Sequence, residues 1–133
     1  MYKPFLRTAS LLGALAVALG AFGAHALKGR VSDIAANTFE TGVRYHFYHV
    51  LALIMLGILY KEFRSKWILI SGNFFILGIV LFSGSLYALT FTVAAGRTGL
   101  NWIGIITPFG GLGFIAGWFC LLLGVIKKPE FRK

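Results

Sequence analysis

The chain has 133 residues, of which 58% are hydrophobic and only 13% charged, where an average soluble domain carries roughly a quarter charged residues. That balance excludes an ordinary soluble enzyme and leaves little sequence beyond membrane-spanning segments. The formal charge of +9 does not point to nucleic acid: the basic residues form no compact basic domain, and they flank apolar stretches where they suit anionic headgroups.

A spanning helix takes about 20 mostly apolar residues, and four stretches reach or approach that length: 8–27, 43–60, 67–92 and 102–126. The expected fold is therefore all-α, an integral membrane four-helix bundle in one domain. Before the first stretch stand Lys3 and Arg7, and it ends in Ala24-His25-Ala26, a pattern shared with secretory signal peptides. Its length suits a span, and it reads as the first transmembrane helix. Leu11, Leu12, Leu15, Leu19 and Phe22 occupy one stripe of this helix. Nearly all the rest is small, including Gly13, Ala14, Ala18, Gly20, Ala21 and Gly23. Lipid gives no hydrophobic push between helices, so small residues mark close backbone approach. The first helix is thus expected to be enclosed by neighbours, with only its Leu/Phe stripe facing lipid.

The connection to the second span is patterned. Ser32-Asp33 suits a helix start, and Ile34, Ala35, Thr38, Phe39 and Gly42 recur at helical spacing. This predicts a short outer amphipathic helix between helices 1 and 2, or an extension of the second span. Glu40 and Arg44, four apart, can pair on one face, a contact of small energetic value at a surface. In the second span His46 and His49 are three apart and share a face with Gly42, Leu53 and Gly57. The third contributes Ser83, Ser85 and Tyr87, and the fourth Thr107-Pro108 followed by Gly110-Gly111. Gly110, Gly113, Gly117, Cys120 and Gly124 align on the fourth helix, a packing stripe whose partner is a helix of this chain or of a second copy. A single cysteine allows no intrachain disulfide.

Lys and Arg set the orientation. Lys3, Arg7, Lys61, Arg64, Lys66 and the tail residues Lys127, Lys128, Arg132 and Lys133 fall on one side, and Lys28, Arg30, Arg44 and Arg97 on the other. Basic loops stay cytoplasmic, so both termini are expected inside. With the outer boundary near Leu27, Val43, Thr92 and Trp102, a rise of about 1.5 Å per residue puts His25 about 3 Å, His46 about 5 Å and His49 about 9 Å below it. Ser83, Ser85, Tyr87 and Thr107 fall in the same outer layer, so the three histidines and these four residues form one candidate polar site.

Ionisable groups inside spans are by default candidates for function. Four readings apply to this layer: interhelical hydrogen bonding, a metal site, a haem clamp, or a polar passage for a small solute or proton. His-xx-His lacks a Cys or acidic residue at matching spacing, which argues against a metal, and no cofactor is expected. Hydrolase and transferase chemistry fails because Ser83-Gly84-Ser85 is not a nucleophile elbow and Glu62 and Glu130 lie across the membrane from the histidines.

Gly20-Ala21-Phe22-Gly23-Ala24-His25, Tyr45-His46-Phe47-Tyr48-His49, Phe82-Ser83-Gly84-Ser85-Leu86-Tyr87 and Ile106-Thr107-Pro108 with Gly110-Gly111 and Gly117-Trp118 together resemble the domain-of-unknown-function 423 family, which is similar to the eukaryotic transmembrane protein 256. The resemblance implies a small multi-pass protein of the bacterial cytoplasmic membrane and no catalytic residues. Two functional readings follow: a non-enzymatic scaffold or accessory subunit, in a homo-oligomer or larger membrane complex within the lipid bilayer, or a minimal oligomeric transporter or channel with a His-lined outer layer.

Overall fold

The computed structural model describes residues 1–97 and 99–126. Among them, four helices are long and apolar enough to cross a membrane: α1 (Lys3–Leu27), α2 (Asp33–Leu59), α3 (Lys66–Ala94) and α4 (Ile103–Ile126). The basic tail from Lys127 lies outside the described residues.

Local chemistry explains the helix ends. Pro4 stands in the first turn of α1, where no backbone N–H is missed. Ser32 caps α2 by accepting the Ala35 N–H at 3.2 Å, and Ser65 caps α3 through the Trp67 N–H at 3.3 Å. Gly29 and Gly96 take φ of +77° and +66° in the turns after α1 and α3, a left-handed conformation that a Cβ would strain. Short turns leave consecutive helices antiparallel, and each packs mainly on the next in sequence.

The amphipathic stretch after Ser32 is not a separate element; it forms the first turns of α2, the second of the two forms its pattern allows. The reason is tertiary. Ala35 and Phe39 are buried against the C-terminal halves of α3 and α1, with Thr90 Oγ1 3.4 Å from the Ala35 carbonyl and Phe39 packed on Tyr87, Phe91 and Phe22. Helix α2 therefore begins level with the ends of its neighbours, ten residues before the boundary that hydropathy suggests at Val43.

Helix α1 corrects a second expectation. It packs on α2 along one face, with Phe5, Ala9, Ala16 and Leu27 buried. Ala14, Ala18 and Ala21 are exposed together with Leu11, Leu15 and Val17, so small residues as well as the Leu stripe face outward. Sequence alone counts small surfaces without saying how many neighbours are available to cover them. With its N-terminal end, α1 does reach further: the Tyr2 N–H donates to the Gly57 carbonyl at 2.7 Å, and the Phe5 ring fills the space over Gly72.

The glycine stripe of α4 faces α3. A Cβ at Gly117 would sit 2.5 Å from the Phe75 ring, one at Gly124 2.8 Å from Ile68, and one at Gly113 3.7 Å from the Gly78 backbone. At Gly110 it would strike the Phe82 backbone itself. On α1, Gly13, Gly20 and Gly23 lie against Val50, Val43 and Phe39 of α2. Pro108 is accommodated inside α4, at the cost of the N–H that would bond the Gly104 carbonyl. Two π-helical turns interrupt the regular geometry, Gly23–Leu27 at the end of α1 and Ile79–Ser83 in the middle of α3. The apolar core, with Phe5, Leu53, Leu56, Ile68, Phe75 and Phe114, fills the half of the bundle that holds the N-terminus.

Candidate functional site

His46 and His49 lie about 20 Å and 24 Å along the axis from the start of the 27-residue α2, near the middle of that helix. Both are buried. Polar groups at that level have no solvent to meet and must find protein partners.

His49 is fully engaged. Its Nδ1 donates to the Tyr45 carbonyl at 2.8 Å, one helical turn back, and its Nε2 lies 3.2 Å from the Trp118 Nε1. An indole N–H can only donate, so Nε2 is the acceptor and Nδ1 carries the proton. The ring also stacks on Phe114, with centroids 3.5 Å apart and planes 8° from parallel, and meets Phe75 edge-on at 5.2 Å. His46 turns to a different helix. Its Nδ1 is 3.0 Å from the Tyr87 hydroxyl, and the Leu12 backbone of α1 is a further hydrogen-bonding neighbour of the ring. Gly42 makes this pairing geometrically accessible: a Cβ there would lie 2.9 Å from the Tyr87 ring, so the bare backbone lets Tyr87 lie across α2 and reach the histidine one turn on.

The remaining candidates divide between the two sides of α3. Ser83, the last residue of the π turn, donates to the Gly42 carbonyl at 2.7 Å on the α2 side. Ser85 faces α4, where its hydroxyl is 2.6 Å from that of Thr107 and donates to the Phe82 carbonyl at 2.9 Å. His46, Tyr87, Ser83 and Gly42 thus form one cluster at the α2–α3 contact. Ser85 with Thr107 forms a second, and His49 with Trp118 a third. His25 joins none of them; it is exposed on the π turn of α1. The three histidines do not converge, and among the described residues no three His, Cys, Asp or Glu side chains group to hold a metal ion.

Two contacts escape the sequence reading. Trp118 supplies the hydrogen bond to His49, and the available signal was its indole N–H, which in the middle of an apolar helix needs an acceptor. Ser71 donates to the Gly117 carbonyl at 2.7 Å, across the contact that Gly117 itself opens. At the end where α1 stops and α2 starts, a cleft of about 650 Å³ lies between the two helices, with Lys28, Asp33, Asn37 and Glu40 among its lining. Glu40 is paired with Arg44 at 3.1 Å on the exposed side of α2.

This geometry predicts a graded result for Tyr87. Tyr87→Phe should lower stability in detergent by about 1 kcal/mol, because it strips the side-chain partner of a buried histidine, and Ser83→Ala by a similar or smaller amount. Unfolding titrations in mixed micelles read both; an unchanged midpoint for Tyr87→Phe would mean that the His46 contact contributes nothing.

The family described as "Protein of unknown function (DUF423)" matches residues 19–111, which include every histidine and every hydroxyl of the three clusters. The chain is 38% identical over 126 residues to the UPF0382 membrane protein YwdK of Bacillus subtilis, covering 94% of this chain and 98% of that protein. It is 39% identical over 127 residues to the UPF0382 membrane protein SH2409 of Staphylococcus haemolyticus, with 94% and 97% covered. Against the UPF0382 inner membrane protein YgdD of Escherichia coli K12 the identity is 39% over 119 residues, with 90% and 86% covered. No solved structure matches the chain. With the family spanning most of its length and four apolar helices packed through glycine contacts, this chain belongs to the DUF423 family of small multi-pass membrane proteins.

Proposed function

We propose that this inner-membrane protein acts as a non-enzymatic scaffold or accessory subunit, working through its lipid-facing surfaces and not through chemistry in its interior. The observation that carries the reading is His49, whose two ring nitrogens are both taken by protein partners while one face stacks on Phe114, and Phe75 and Trp118 meet the ring edge-on. A ligand or translocated proton would have to displace Trp118 first. The serine and threonine hydroxyls are likewise committed to neighbouring helices, as expected of interhelical bonds of modest strength. In the orientation set by basic residues, Lys3, Arg7, Lys61, Arg64 and Lys66 lie at the cytoplasmic end and Lys28, Arg30 and Arg97 at the outer one.

Purified protein in proteoliposomes should give no flux of protons or monovalent ions above protein-free vesicles. A flux that disappears in His46→Ala would sink the scaffold reading in favour of transport. Assembly is supported by the outward small residues Ser10, Ala14 and Ala18 on α1, four apart and exposed, a spacing that permits close helix approach. In a Cys120→Ala background, Ala14→Cys is expected to form a disulfide-linked dimer in native membranes on mild oxidation. A monomer under all oxidant concentrations would rule out self-association through this face.

A further inference from the structure

We propose that the cleft between the π-helical end of α1 and the first turns of α2 binds a phospholipid with a zwitterionic headgroup that ends in a primary ammonium. The cleft holds about 650 Å³ and sits where α1 ends and α2 begins, the level of a membrane interface. On the α1 side its wall is Gly20, Gly23 and the exposed Ala24, and where Val43 and Phe39 of α2 pack over the two glycines the floor is apolar and suits a glycerol or acyl segment. The α2 wall carries Asp33, Asn37 and Glu40, and Lys28, just past the end of α1, also lines the cleft. The wider π turn belongs to the α1 wall, and such turns recur at functional sites.

Charge selects the occupant. Among the described residues Lys28 and Asp33 form no ion pair, while Glu40 shares its charge with Arg44. One cation and one carboxylate therefore face the cleft uncompensated, with a second carboxylate two turns below. A phosphodiester suits Lys28, and an ammonium suits Asp33 and Glu40 through charge-assisted hydrogen bonds. Asn37 offers a donor to a phosphate or ester oxygen. A purely anionic headgroup would bring its charge against the carboxylates. A quaternary ammonium has no N–H for them to accept, which separates the primary amine from its methylated counterpart.

Full-length protein taken from vesicles of equal parts phosphatidylethanolamine, phosphatidylcholine and phosphatidylglycerol, and examined by native mass spectrometry, tests this directly. The ethanolamine lipid should be retained about tenfold over the choline lipid, the equivalent of one charge-assisted hydrogen bond. Asp33→Asn combined with Glu40→Gln should erase that preference, and Lys28→Ala should weaken retention of all three lipids. Asp33, Glu40 and Lys28 are exposed, so these substitutions leave the bundle intact. Ala24→Trp, from another exposed position on the α1 wall, should fill the cleft and abolish retention with every charge in place. Equal retention of the three lipids, a preference for the glycerol headgroup, or a preference that survives the Asp33/Glu40 double substitution overturns the proposal. So does a disulfide-linked dimer through Ala24→Cys in a Cys120→Ala background, which would seat a second copy there.

Discussion

Gly110→Ala is expected to destabilise the bundle by about 2 kcal/mol, while Gly111→Ala, one residue on, should be neutral or slightly stabilising. The two positions share a helix and a composition, and differ in what a methyl group would meet. At Gly110 it would collide with the backbone of Phe82, in the π turn of α3. Backbone cannot rotate away as a side chain can, so α3 and α4 must separate, and overpacking of this kind costs about 1–3 kcal/mol. At Gly111 the nearest atoms are the Phe82 ring at 3.8 Å, an ordinary contact. There only the helix-propensity gain of about 0.5–1 kcal/mol from replacing glycine acts. Unfolding of the two variants in mixed detergent and SDS micelles measures the contrast. Equal midpoints would show that the α3–α4 contact is looser than its geometry indicates. Gly110→Leu should go further and prevent the two helices from closing.

The second large effect is predicted at His49. His49→Ala should cost about 3 kcal/mol, comparable to truncating a buried aromatic ring, because it removes the stack on Phe114 and leaves the Trp118 N–H without its acceptor. The hydrogen bond itself accounts for the smaller share. Trp118→Phe should cost about 1 kcal/mol, and in the double variant His49→Ala with Trp118→Phe the losses should fall short of additivity by about that amount. His49→Phe tests the division from the other side: it keeps the ring stack and should recover more than half of the alanine loss. If His49→Phe proves as damaging as His49→Ala, the polar contacts dominate and the aromatic cage has been overrated.

These two sites show where sequence reasoning carries and where it ends. That Gly110, Gly113 and Gly117 mark a close helix contact follows from small residues recurring in an apolar helix, since packing is what holds helices together in lipid. That the contact is with α3 of the same chain required the fold. His46 and His49 share a helical face by spacing, yet they bond to different helices, Tyr87 of α3 and Trp118 of α4. Partner choice depends on how far each neighbour is rotated and translated. In α3 the extra residue of the π turn over Ile79–Ser83 resets that rotation, and no sequence pattern announces it. The start of α2 at Asp33 is masked in the sequence for a related reason. Asn37, Glu40 and Arg44 lower the hydropathy of the first turns of α2, although Ala35 and Phe39 on the other face are buried among α1 and α3.

By itself the sequence determined the solvent in which the chain works, the helical class, the family, and the residues that allow backbones to meet. Each of these depends on a local sum: apolar length against bilayer thickness, small side chains along a face, motifs in order. The tertiary structure decided which groups pair, that His25 stands apart from His46 and His49, and that a cleft with unpaired charges opens between α1 and α2. Those features arise from the register between helices. Register is fixed by many contacts acting together, Gly110 on Phe82 and Phe5 over Gly72 among them, and no single stretch of sequence contains it.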